Sequence, residues 1–167
     1  MHSKWCRTAM TFAAAWMLSA AAWSVEPGQA APQFELAGPN GPVALSKFKG
    51  QLVYVDFWAS WCGPCKQSFP WMNEMQAKYG SRGLRIVAVN LDAKTPDGEK
   101  FLAQVPASFT VAFDPKGDSA KRYEIKGMPS SVLVGPDGRV IKTHAGFRED
   151  ERQALEAAIV AALPPQH

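Results

Sequence analysis

The apolar positions of this chain fall into short solid runs and longer periodic ones. Leu52 to Phe57 (LVYVDF) has five apolar or aromatic residues in six, and Leu84 to Asn90 is nearly all apolar. Runs of this length without alternation suit central strands buried on both faces. The one acid inside the first run is Asp56. Between the runs, Met72, Met75 and Tyr79 recur at three- and four-residue spacing. That spacing predicts a helix from near Cys62 to Tyr79, ended by Gly80 and kinked at Pro70. Downstream, Asp97 to Gln104 reads as a short helix, Thr110 to Phe113 as a short strand, and Ser119 to Tyr123 as a helical turn or two. Ser131 to Val134 and Val140 to His144 read as strands joined by the turn Gly135-Pro136-Asp137-Gly138. Glu149 to Leu163 is an amphipathic closing helix with acids in its first turn, stopped by Pro164 and Pro165. Before all of these, Phe34 to Leu45 holds two short apolar pieces around Gly38-Pro39-Asn40-Gly41-Pro42, a paired segment about a turn. Ser46 fits as the cap of a single turn through Phe48. Buried early strands with helices between them predict an α/β layered sheet, and the late hairpin makes that sheet mixed.

The length of 167 residues, 47% of them hydrophobic, allows one packed domain plus a short extra segment. A charged fraction of 20% argues against disorder. The formal charge of +3 shrinks on inspection, because Lys4 and Arg7 lie in the first 25 residues and no acid does. The remainder has 16 basic and 15 acidic side chains and no long basic run. Neither nucleic acid nor an anionic membrane is called for as a partner.

The amino terminus reads as an export signal. Lys4 and Arg7 form a positive start, Thr8 to Val25 is uncharged, and Ala20, Ala21 and Ala22 supply the small residues a signal peptidase needs. Cleavage after Ala22 or a little later is expected. An uncleaved membrane anchor is the alternative, since the stretch is about long enough to span a bilayer. Both put the folded domain outside the cytoplasm, in a periplasmic or other extracytoplasmic space. The expected organisation is 1–25 signal peptide or anchor, 26–32 linker, 33–163 folded domain and 164–167 tail. Cys6 lies in the positive start and receives no function, so the body has two cysteines, Cys62 and Cys65.

Those two carry the chemistry. Trp58-Ala59-Ser60-Trp61-Cys62-Gly63-Pro64-Cys65-Lys66 sits between a buried strand and the start of a helix. Two cysteines three apart on a first helical turn can close and reopen a disulfide with little movement. Free N–H groups and the helix dipole favour a thiolate at Cys62, the outer attacking sulfur. Cys65, a turn deeper, resolves the mixed disulfide. Pro64 fits early in a helix, where its missing N–H costs nothing, and Gly63 keeps the sulfur accessible and lets the backbone turn. A structural staple is a poor reading, because a loop of two residues constrains little unfolded-chain entropy. A zinc site needs about four ligands, and the body adds only His144 and His167 to the cysteines. Haem attachment needs a histidine after the second cysteine, where Lys66 stands. A Cu(I)-binding assembly factor using the same thiolates stays as an alternative, as soft thiolates suit that ion, though no added Met or His ligands accompany the pair.

The segment YVDFWASWCGPCK (Tyr54–Lys66), Pro70 five residues past the second cysteine, and Met128-Pro129 before a strand resemble the thioredoxin superfamily over about Gln33 to Leu163. The export segment, the extra amino-terminal strands, and VAVNLD (Val87–Asp92) followed by an inserted helix resemble its TlpA/ResA/DsbE-type branch. The resemblance implies a thioredoxin-like mixed central sheet flanked by helices, with extra N-terminal strands and an inserted helix. It implies that Asp56 is the buried acid beneath the deeper cysteine. An apolar strand should raise its pKa, which suits proton transfer with Cys65. Pro129 matches the cis-proline that faces the disulfide, and presents the backbone of Met128 to an extended substrate. Trp61 resembles the aromatic rim of the active site, so Trp61, Gly63, Pro64 and Met128 are the expected substrate-binding residues.

Two positions depart from the family pattern. Ala88 stands where small thioredoxins place a lysine near the buried acid, and Ser68 where many ResA-like proteins carry a glutamate. His144 is expected to be a surface or packing residue.

The expected activity is dithiol–disulfide exchange with other proteins. Gly-Pro between the cysteines resembles the reducing members, so a reductase is favoured, with an oxidant or isomerase as the alternative. By resemblance, its substrates are cysteine pairs awaiting haem attachment, in cytochrome c maturation, or copper insertion. No organic cofactor or metal is expected beyond the Cys62–Cys65 disulfide. A membrane electron donor should recharge the pair, and the protein should be a monomer.

Overall fold

A computed structural model describes residues 25–165. The export reading of 1–25, Cys6 and the last two residues of the tail therefore lie almost wholly outside the described residues. A two-stranded hairpin comes first, β1 (Glu35–Leu36) and β2 (Val43–Ala44), with Glu35 opposite Ala44. A 3-10 turn over Leu45–Phe48 leads into β3 (Leu52–Trp58), then α1 (Gly63–Tyr79) and β4 (Leu84–Asn90). Next come α2 (Thr95–Gln104), β5 (Thr110–Phe113) and α3 (Asp118–Arg122). The chain closes with β6 (Ser130–Val134), β7 (Val140–Ala145) and α4 (Arg152–Ala162).

Five strands make one mixed sheet in the order β5-β4-β3-β6-β7. β3, β4 and β5 run parallel, while β6 is antiparallel to both β3 and β7. All seven residues of β3 are buried, which is why its sequence does not alternate: helices or loops cover both faces. On one face Leu52, Tyr54 and Trp58 meet Phe69, Met72 and Met75 of α1 and Leu155 and Ile159 of α4. On the other, Val53, Val55 and Phe57 meet Ala31 and Phe34, Val43 of β2, and Ala120 and Tyr123 beside α3. Each Val, Leu, Ile, Phe or Met side chain among these contributes about 1.5–3 kcal/mol by leaving water.

Pro70 lies inside α1, which continues through it to Tyr79. Pro70 and Lys66, whose carbonyl loses its i+4 partner, are both exposed, so one bond is given up on the wet side of the helix. The closing helix begins later than Glu149: Glu149–Glu151 form a 3-10 turn, with Glu151 N–H bonded to the Arg148 carbonyl, before α4 starts at Arg152. Such tight turns are common at helix ends. Finally, residues 26–32 do not hang between two parts of the chain. Gly28 N–H donates to the Val140 carbonyl, Val140 N–H to the Gln29 carbonyl, and Ala31 N–H to the Gly138 carbonyl. Ala30 bridges Arg139, and Ala31 is buried. The composition of a linker here belongs to a strap laid on Gly138–Val140, where the chain enters β7.

Candidate redox site

β3 delivers the chain to the site, and α1 carries it away. Cys62 is the N-cap of α1 in extended conformation, and its Sγ accepts a hydrogen bond from Cys65 N–H at 3.3 Å. That bond uses one of the amides left free at a helix start. The two sulfurs are joined, with S–S 2.01 Å and Cα–Cα 5.3 Å. Cys62 is 6% exposed and Cys65 is sealed at 0%, so an incoming group reaches the Cys62 sulfur first. Pro64 lies in the first turn of α1, where its lack of an N–H leaves no bond unmade. Gly63 is not among the positive-φ glycines, and a Cβ there would meet nothing within 4 Å. The turn therefore does not require glycine; its effect is to keep the space over the disulfide open.

The Met128–Pro129 peptide is cis. Gly146 N–H holds the Pro129 carbonyl, Ser130 Oγ–H bonds the Gly127 carbonyl, and Met128 packs on the cluster that contains both cysteines. Trp61 stands 72% exposed beside the disulfide. It borders a cleft of about 180 Å³ shared with Cys62, Gly63 and Lys66 on one side and Phe101, Gln104 and Val105 at the end of α2 on the other.

Asp56 lies in the middle of the sheet, 2% exposed, between Ala88 on β4 and Ser131 on β6. Two-residue periodicity puts it on the face of β3 that carries Tyr54 and Trp58, the same face that packs against Cys65. Its Oδ2 is buried without a hydrogen-bond partner. Burial pushes its carboxyl well above the usual carboxylate range. Ala88 directly opposite offers no cation to counter this. Ser68 is buried and its hydroxyl donates to the Cys65 carbonyl at 3.0 Å, so this position closes a backbone bond.

A further set of residues was not singled out from sequence. Asp92 is 3% exposed and accepts from Ser60 N–H and from Ser60 Oγ–H, each at 2.9 Å. Asn90, fully buried, braces it by donating Nδ2–H at 2.7 Å. These bonds fix the loop just before Cys62. α2 approaches closely over Asn90, because Gly98 has no side chain; a Cβ there would sit 2.8 Å from the Asn90 amide. The signal available was the VAVNLD segment itself, whose polar pair ends an apolar run. Among the described residues no group of three His, Cys, Asp or Glu is placed to hold a metal ion, and no helix is long and apolar enough to cross a membrane.

Comparison with known proteins fits this geometry. The Redoxin family model matches residues 26–159. Thiol-disulfide oxidoreductase ResA of Bacillus thuringiensis subsp. konkukian is 34% identical over 141 residues, covering 84% of this chain and 80% of that protein. ResA of Oceanobacillus iheyensis is 35% identical over 145 residues, covering 84% and 74%. A solved structure from Chlorobium tepidum, described as a candidate thiol:disulfide interchange protein DsbE, is 60% identical. It superposes with a TM-score of 0.83 over 84% of this chain and 100% of that one.

Proposed function

Because this chain belongs to the redoxin family, in the ResA/DsbE-like part of the thioredoxin superfamily, and is a thiol–disulfide oxidoreductase acting on protein disulfides, we propose that it is an extracytoplasmic protein disulfide reductase. The observation that carries the exchange chemistry is the asymmetry of the pair: the Cys62 side is slightly open (6%) on a helix N-cap, while Cys65 is sealed at 0%, with Asp56 buried in the neighbouring strand.

In the reduced protein, Cys62 is held as a thiolate by the helix start and attacks a substrate disulfide. A bond forms between the Cys62 sulfur and one substrate sulfur, and the other leaves as a thiolate. Cys65 then gives its proton to Asp56 and attacks the Cys62 sulfur. The internal disulfide forms and the second substrate thiolate departs. Two electrons have passed from the pair to the substrate. The raised pKa of Asp56 matches its task, since a carboxylate of ordinary acidity would be too weak a base for a thiol. Met128 and cis-Pro129 hold the extended substrate chain, while Trp61, Gly63 and Pro64 form the surface it meets. No dissociable cofactor takes part, because the cysteines carry the electrons.

The reducing direction rests on the Gly-Pro spacer. The substrates proposed are cysteine pairs awaiting haem attachment or copper insertion. A membrane carrier fed from the cytoplasm supplies the returning electrons, and the amino-terminal segment exports the chain. The test is the equilibrium reduction potential of Cys62–Cys65 against defined thiol buffers. A value near about −270 mV supports the reductase, whereas one near roughly −120 mV makes disulfide donation or isomerisation the function instead.

A further inference from the structure

A base buried as deeply as Asp56 must lose each proton it takes, and the sheet offers it one polar way out. On the β4 side its row continues with Ala88, which carries no proton. On the other side Asp56 faces Ser131 on β6, and Ser131 faces His144 on β7. Residues paired across strands share a face. Asp56, Ser131 and His144 thus form a polar row on the face covered by α1 and α4, and it leads outward. Asp56 and Ser131 are 2% and 5% exposed, the His144 side chain 21%, and its neighbour Glu151 34%.

His144 Nε2 lies 3.4 Å from Glu151 Oε2, and both atoms are buried without a well-aligned hydrogen bond. Two bare acceptors at that separation would repel, so the proton of a neutral imidazole belongs on Nε2, leaving Nδ1 as an acceptor. Between β6, β7 and α4 there is a cavity of about 10 Å³ bordered by Tyr54, Ser131 and His144. Leu133, Leu155, Ala158 and Ile159 make up much of the rest of its wall.

We propose that Ser131 and His144, with Glu151 at the surface end, form the proton route that returns Asp56 to its ionised state. This rests on the assignment of Asp56 as the proton acceptor for Cys65. Protonated Asp56 passes its proton to the Ser131 hydroxyl, which hands its own on to Nδ1 of His144. Nε2 then releases its proton to the Glu151 carboxylate and solvent. One proton enters at Cys65 and one leaves at Glu151, and no bond between heavy atoms changes. The charges around His144 are Glu151 before α4 and Lys142 on β7, with Tyr54 and Asp56 on β3. Glu26, Glu124 and Lys126 border the groove beyond it. The α4 residues that reach this cavity, Leu155, Ala158 and Ile159, are uncharged.

The route is tested by a pH jump. Reduced protein held at acid pH, where its upward-shifted pKa keeps Asp56 protonated, is mixed with dithiobis-nitrobenzoate at about pH 8. The first release of nitrothiobenzoate reports attack by Cys62, and the second, first-order release reports resolution by Cys65. In the native protein the second phase should be the same whether or not the sample was jumped. In His144→Gln and in Ser131→Ala it should be roughly fivefold slower after the jump, yet match the native rate after pre-equilibration at pH 8. A packing defect would slow both samples alike. The delay should vanish in Asp56→Asn/His144→Gln, since no proton is then waiting to leave. Absence of a delay in both single variants, with Asp56→Asn still slow, overturns the route and leaves Asp56 as the base. A delay that survives in the double variant also overturns it. A native second phase in Asp56→Asn removes the underlying assignment itself.

Discussion

Asp56 is held at a cost that depends on pH. Its charged form is penalised by burial, so the folded-state pKa lies above the unfolded one. The folded protein therefore binds more protons than the unfolded chain between those two values, and stability falls as pH rises through the folded pKa. Below the unfolded value of about 3.9 both states are protonated and the penalty is absent. Asp56→Asn should accordingly melt roughly 5 °C or more above the native protein at about pH 8 and alike at about pH 4. Calorimetry at the two pH values checks this; an equal gain at both would point to packing instead of charge. The cysteine pair and Asp56 were legible in the sequence for one reason: each is defined by its immediate neighbours. Two cysteines at a helix start and an acid in an apolar strand need no distant partner to stand out. His144 was not legible, because its surroundings are set by pairing with Ser131, across a turn, and by Glu151 on a different element.

At the scale of elements, β3, β4 and α1 could be placed closely from the chain alone. A strand covered on both faces leaves an unbroken apolar run, and α1 leaves a helical period. The bracing of the redox loop left no such trace. Ser60 and Asp92 meet over a separation of 32 residues, and serine and aspartate are common in loops for other reasons. The inserted helix α2 was expected, but not that it would lean on the loop's support. Gly98 lets it do so, since a methyl group would collide with the Asn90 side chain. Gly98→Ala should lower stability by about 1–3 kcal/mol, the usual cost of forcing extra volume into a filled site. It should also slow attack by Cys62, because Asn90 holds Asp92 and Asp92 holds Ser60. Urea titration and the first phase of the disulfide reaction measure the two effects. An unchanged midpoint would mean that α2 shifts freely and does not support the loop.

For the whole molecule, the residues that looked like a tether turn out to lie across the sheet. Gly28 to Ala31 bond to Gly138–Val140, where the chain turns into β7 at one edge, Ala31 and Phe34 are buried against the face opposite α1, and Ala37 bridges Phe113 of β5 at the other edge. Their Pro, Gly and Ala content hid this, because the hydrogen bonds are made by the backbone and the partners lie far along the chain. A bare outer strand is a template for another chain to pair with. Here the strap takes up outer backbone groups of Gly138–Val140, next to Ile141, which is 41% exposed, so its loss would leave that stretch of edge unpaired beside an apolar side chain. Protein beginning at Gln33 should keep the redox pair but lose the cover on Gly138–Val140 at the start of β7. Light scattering should then show concentration-dependent aggregation that the chain beginning at Glu26 does not. If the shortened protein stays dispersed, the segment is dispensable for solubility. If it clumps, this short strap protects the sheet from its own kind, and the presence of residues 28–31 decides whether the folded domain persists as a dispersed species.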